Sequence, residues 1–119
     1  MTHIYLSGPM TGHPDFNRPA FNNAAYCLRI TGYQVTNPAE QHIPGASWAD
    51  YLRHDLALML QADCVVTLNG WQQSKGASLE VYVAKQLGIP VYELTEVLGT
   101  EGRPARDIGE GIKQLSLGI

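Results

Sequence analysis

Short apolar runs and wider-spaced apolar stripes alternate along this chain. The runs are residues 3–7 (HIYLS), 33–37 (YQVTN), 63–68 (DCVVTL) and 89–94 (IPVYEL). Runs of this length bounded by Gly, Pro, Asn or Asp read as strands. The third is nearly continuous in apolar residues, the pattern of a central strand covered on both faces. The stripes recur at helical spacing. They are Phe21, Ala24, Ala25, Leu28 and Ile30; then Trp48, Tyr51, Leu52, Leu56, Met59 and Leu60; then Leu79, Val81, Val83, Ala84 and Leu87. The punctuation agrees. Pro19 suits a first helical turn, Gly32 a C-cap, and Ser47-Trp48-Ala49-Asp50 a capping box. Pro38 ends the second strand. Beyond residue 94 the pattern weakens to a loop over 97–103 and a helix over 104–115, interrupted by Gly109 and Gly111.

The order βαβαβαβα predicts an α/β fold: a parallel sheet of four to five strands joined by right-handed crossovers, with helices on both faces. That is a flavodoxin-like (Rossmann-like) three-layer sandwich. A length of 119 residues predicts one domain over 1–119, with a single core and a modest pocket. The formal net charge of −3 with scattered Lys and Arg argues against nucleic-acid binding, which wants basic clustering. No apolar segment reaches membrane-spanning length. The start goes straight into a strand without a secretory pattern, and Cys27 and Cys64 read as buried thiols of a reducing cytosol. No Cys/His spacing suggests zinc, and no metal site or cofactor is expected.

Ligand sites in parallel sheets lie beyond the carboxyl ends of the strands. Two turns fall there. Gly8-Pro9-Met10-Thr11-Gly12 follows the first strand and is neither a GxGxxG nor a Walker A loop. Asn69-Gly70-Trp71-Gln72-Gln73-Ser74-Lys75-Gly76 follows the third and opens the helix that carries Glu80. Ser74, Lys75 and Gly76 occupy the place a phosphate would take. Glu80 has two readings: an acid complementing the helix dipole, worth about 0.3–1 kcal/mol, or a carboxylate aimed into a pocket. Asp55 lies on the apolar stripe of its helix. Either it pairs with Arg53 or His54, or it is a perturbed acid displayed on an inner face. Asn37, at the end of the second strand, either caps the turn or reads a base or sugar hydroxyl. Trp71 is either a stacking residue or a packing anchor. His13 and Asp15 read as loop residues.

Three segments together resemble a known group: Ile4-Tyr5-Leu6-Ser7-Gly8-Pro9, the helix around Asp55 followed by Asp63-Cys64-Val65-Val66, and Ser74-Lys75-Gly76-Ala77-Ser78-Leu79-Glu80. They are similar to the nucleoside 2-deoxyribosyltransferase superfamily, which includes deoxynucleoside 5'-monophosphate N-glycosidases. The Gly-Pro-Met-Thr-Gly turn, Pro14-Asp15-Phe16-Asn17 and Asn37-Pro38-Ala39-Glu40 resemble more closely its DUF4406 branch, often met in phages and prophages. The resemblance implies cleavage of an N-glycosidic bond, with Glu80 as nucleophile, Asp55 moving a proton to the leaving base and Tyr5 orienting Glu80. Serine at position 74, where nucleoside-using members carry an acid, implies a 2'-deoxynucleoside 5'-monophosphate. Ser7, Gly8, Pro9, Met10, Asn37, Asn69, Trp71, Ser74 and Gly76 are expected around the substrate. The resemblance also implies a homodimer or larger homo-oligomer whose sites are completed by a neighbour's polar residue, with Thr95 and Thr100 the candidates; the reduced thiols point to a cytoplasmic location. A second class remains: a non-catalytic nucleotide sensor or sequestering module using the same pocket.

Overall fold

A computed structural model of the chain describes residues 1–99. The expected helix over 104–115 and Thr100 lie outside the described residues. Within the described residues, four parallel strands form one sheet: β1 (His3–Ser7), β2 (Gln34–Thr36), β3 (Cys64–Thr67) and β4 (Val91–Glu93), in the order β2-β1-β3-β4. This is the flavodoxin-like order, with the switch in winding direction between β1 and β3. The register sets Tyr5 beside Val65 and Ser7 beside Thr67.

Among the described residues, four α-helices cover the sheet: α1 (Arg18–Ile30), α2 (Trp48–Met59), α3 (Lys75–Gln86) and α4 (Leu94–Leu98). Strand alternation divides the core into two layers. Ile4, Leu6, Cys64 and Val66 pack with Phe21, Ala24, Ala25 and Leu28 of α1 and with Val97 and Leu98 of α4. Tyr5 and Val65 face the other way, against Met59 and Ala84 and the partly buried Leu56 and Val83 of α2 and α3. The same alternation carries Ser7 to the side of Tyr5, and there the candidate site lies.

The segment after β4 departs from the expected strand over 89–94 and loop over 97–103. Residues 94–98 form α4, and β4 is correspondingly only three residues long. The cause is local and tertiary together. The Glu93 backbone N–H donates to Glu96 Oε1 at 3.0 Å, half of a capping box, and Val97 and Leu98 find a core to enter. The capping box at Ser47 and Asp50 forms as the sequence predicts. Asp63, at the α2–β3 junction, accepts the backbone N–H of His3 at 2.7 Å.

Candidate active site

Glu80 lies in the second turn of α3, on the face that meets the sheet. It is 6% exposed. A buried carboxylate needs partners, and β1 supplies two. Tyr5 Oη donates to Glu80 Oε2 at 2.5 Å, and Ser7 Oγ donates to Oε1 at 2.7 Å. Burial pushes the Glu80 carboxyl up to about 7, the two hydroxyl donors pull it back, and the charge of Asp55 adds to the rise. Tyr5 is itself raised well above the phenolic range, first by burial and then by the charges of Glu80 and Asp55. It therefore stays a proton donor in its hydrogen bond over the whole neutral range.

Asp55 approaches from α2. Burial pushes its carboxyl up to about 6, with the neighbouring His54 charge pulling down. The expected pairing with Arg53 or His54 is not what holds it. Its Oδ1 is buried without a hydrogen-bond partner among the described residues, and His54 Nε2 instead contacts Gln41 Oε1 at 3.1 Å. A buried carboxyl oxygen with no partner is a group waiting for one.

Both acids face a cavity of about 770 Å³ at the carboxyl edge of the sheet. Its wall takes in Tyr5 from β1, Gly8, Pro9 and Met10 from the first turn, Asp55 from α2, and Ser74, Gly76 and Glu80 from the α3 segment. Gly8 is there for a steric reason: a Cβ on it would lie 2.8 Å from Leu68 Cβ. The ends of β1 and β3 approach too closely for any side chain, and the turn closes over the site. Ser74 is the N-cap of α3. Its Oγ accepts from the Ala77 backbone N–H at 3.2 Å, leaving the hydroxyl proton free to donate into the cavity. At Gly76 an added Cβ would touch the Trp48 ring at an ordinary 3.9 Å, so packing does not demand glycine there.

The remaining expected residues are placed differently. Ser7 is fully buried and serves Glu80 rather than the cavity wall. Asn37 is 1% exposed; its Oδ1 accepts from Ala39 N at 3.0 Å and its Nδ2 donates to Asn22 Oδ1. Both ends of its amide are occupied in holding the β2 turn, the capping alternative. Asn69 is exposed and stands outside the cavity wall. Trp71 opens a 3-10 turn, Trp71–Gln73, and is also outside the wall, with its indole N–H buried and without an acceptor among the described residues. Thr95 is exposed on α4. Burial raises the Cys64 thiol to about 12, so it is inert as expected of a core cysteine. No cluster of three or more His, Cys, Asp or Glu suited to a metal occurs among the described residues. No helix among them is long and apolar enough to cross a membrane.

Sequence reasoning missed the side walls. His13, Phe16 and Arg18 rise from the β1–α1 loop, and Gln41, Trp48 and Tyr51 from the segment into α2. Lys75 Nζ sits 4.5 Å from the Trp48 ring centroid, and Arg18 Cζ 5.3 Å from that of Phe16. The missed signal was positional: each residue lies between a strand's carboxyl end and the first turn of the helix that follows it.

Comparison with known proteins adds the following. Residues 2–93 match the family model DUF4406, a domain of unknown function. A search of curated protein sequences gives no match. Two solved structures share the fold. One is a 2-deoxyribosyltransferase from Bacillus psychrosaccharolyticus, at 22% identity and a TM-score of 0.62 over 77% of this chain and 71% of that one. The other is a 2-deoxyribosyltransferase from Leishmania mexicana, at 16% identity and a TM-score of 0.63 over 92% of this chain and 81% of that one.

Proposed function

The chain belongs to the DUF4406 family, and from the site it carries we propose that it cleaves the N-glycosidic bond of a 2'-deoxynucleoside 5'-monophosphate, as a nucleotide N-glycosidase or deoxyribosyltransferase. One observation carries the reading. A buried glutamate, gripped by Tyr5 and Ser7, shares a cavity with a second, half-buried acid whose Oδ1 is buried without a hydrogen-bond partner among the described residues. A carboxylate that is neither ion-paired nor capping a helix has no structural use that offsets its burial. The sequence resemblance and the fold shared with two 2-deoxyribosyltransferases support the same choice.

The chemistry follows from the arrangement. Breaking the bond from C1' to the base nitrogen develops positive charge on the sugar. The Glu80 carboxylate attacks C1' and forms a glycosyl ester as the C–N bond breaks. The electron pair leaves with the base, and Asp55 in its protonated form supplies the proton that the base takes with it. Tyr5 and Ser7 hold the attacking carboxylate in one orientation. Water then attacks the ester for hydrolysis, or a second base attacks it for transfer. Ser74 Oγ–H and the α3 amide end receive the 5'-phosphate. An acid at that position would repel it.

Exposed Leu79 and Tyr82 on α3 suit the self-association that a shared site requires. The test of the function is free-base release, followed by chromatography over nucleosides and 5'-monophosphates, with wild type beside Glu80→Ala. Release from a monophosphate, lost in the variant, is the expected result. Binding without release from any substrate, with or without an acceptor base, would replace it with a nucleotide sensor.

A further inference from the structure

The β1–α1 loop holds three consecutive non-glycine residues in the left-handed region: Asp15 (φ 51°), Phe16 (φ 51°) and Asn17 (φ 61°). Asp and Asn tolerate this region better than other non-glycine residues, so the strain centres on Phe16, and outliers of this kind cluster where function demands them. Here the strain is held by specific bonds. Asn17 Nδ2 donates to Pro9 O at 2.9 Å, tying the loop to the first turn. Phe16 N–H donates to His13 O at 3.0 Å. Arg18 Nη1 pairs with Asp15 Oδ1 at 2.7 Å across the turn.

What the turn achieves is the placement of Phe16. The ring is 53% exposed yet forms part of the wall of the cavity that contains Glu80 and Asp55. An ordinary helical or extended path offers easier ways to bury a phenylalanine, so hydrophobic burial does not explain the turn. The Arg18 guanidinium lies over the ring at 5.3 Å from its centroid, itself held by Asp15. The ring is thus fixed in position without being covered by the core. A fixed, half-exposed aromatic plate in a cavity suits a planar heterocycle, which stacks on a π-face.

We propose that Phe16, positioned by the left-handed turn and by Arg18, is the stacking platform for the nucleobase, and that it governs binding of the base while leaving the sugar phosphate untouched. This rests on the function proposed above and deepens it. The Asp15–Arg18 pair is a positioning pair, fixing the plate rather than touching the reacting atoms.

The experiment is calorimetric binding of three probes: a 2'-deoxynucleoside 5'-monophosphate, the free base of that nucleotide, and 2-deoxyribose 5-phosphate. The protein carries Glu80→Gln to prevent turnover, alone and combined with Phe16→Leu or Phe16→Trp, each variant checked by thermal melting. Phe16→Leu is expected to weaken the nucleotide and the free base by about tenfold or more and to leave the sugar phosphate within about twofold. Phe16→Trp restores both. Equal affinity of all three probes for the Phe16→Leu protein and its Glu80→Gln parent would overturn the platform while leaving the N-glycosidase reading intact. A Phe16→Leu loss that also falls on the sugar phosphate would assign the loop a merely structural role. If neither nucleotide nor base binds the Glu80→Gln protein, and wild type releases no base, both readings fall together.

Discussion

Tyr5 and Glu80, 75 positions apart in the chain, meet through a 2.5 Å hydrogen bond that β1 makes to α3. With Ser7 on the other carboxylate oxygen at 2.7 Å, neither oxygen of Glu80 is without a donor. A hydrogen bond to a charged group contributes about 1.5–3 kcal/mol. Tyr5→Phe is therefore expected to lower base release by roughly 10–100-fold. Because the Tyr5 bond holds the Glu80 carboxyl down, its loss also moves the acid limb of the pH profile to higher pH. Steady-state rates across a pH series read both effects. A Tyr5→Phe profile superimposable on wild type would remove Tyr5 from the site's machinery.

The two acids titrate close together, Glu80 near 7 and Asp55 near 6. Attack needs Glu80 ionised, and proton donation needs Asp55 protonated. The pH dependence of kcat/KM is thus expected to be bell-shaped with its maximum between about 6 and 7, the values belonging to the coupled pair. Asp55→Asn removes the alkaline limb, so the residual activity climbs with pH to a plateau.

Stability follows a related pattern. A carboxyl whose folded value lies above its unfolded one binds the proton more tightly in the native state, so its contribution falls as pH rises. For Glu80 the window runs from its ordinary 4.5 to about 7. Wild type is expected to lose roughly 1–3 kcal/mol between pH 4.5 and 8 through this group. Glu80→Gln, which cannot ionise, should show a flatter dependence and greater stability at pH 8. Urea unfolding at the two pH values measures it. A wild-type curve as flat as the variant's would mean that Glu80 is not strained by burial.

Ser74 separates fold from specificity. Asp caps a helix about as well as Ser, so Ser74→Asp keeps the Ala77 N–H satisfied while placing a negative charge at the proposed phosphate position. The ratio of kcat/KM for a monophosphate to that for its nucleoside is expected to fall by about tenfold or more, with thermal stability changed little. An unaltered ratio would place the phosphate elsewhere.

Gly8 tests the turn over the site. A Cβ there lies 2.8 Å from Leu68 Cβ, and since Leu68 N–H donates to Ser7 O at 2.8 Å, the strand ends cannot separate without losing that bond. Gly8→Ala is expected to cost about 1–3 kcal/mol and to impair activity through displacement of Ser7 and Tyr5. Denaturant unfolding, paired with the base-release assay, checks it.

Much of this molecule was already written in its sequence. Period-2 runs, helical stripes and caps are local signals, and they determined the four strands, α1 to α3 and the strand-end position of the candidate site. Position on the helices singled out Glu80 and Asp55 as candidates, and the resemblance added Tyr5 and the roles of all three. Tertiary structure decided what local signals cannot carry. Whether Val97 and Leu98 open a loop or belong to α4 depended on a core for them to enter. Whether Asn37 reads a ligand or holds a turn depended on Asn22, which lies 15 positions away. Whether Asp55 was paired depended on Gln41 engaging His54. The left-handed turn at 15–17 has no glycine to announce it; its bonds to Pro9 and between Arg18 and Asp15 hold what local preference disfavours. The physical reason is common to all four. Hydrophobic periodicity and capping act within a few residues, whereas the state of a carboxylate or an amide is set by whichever donors, acceptors and apolar surfaces folding brings against it.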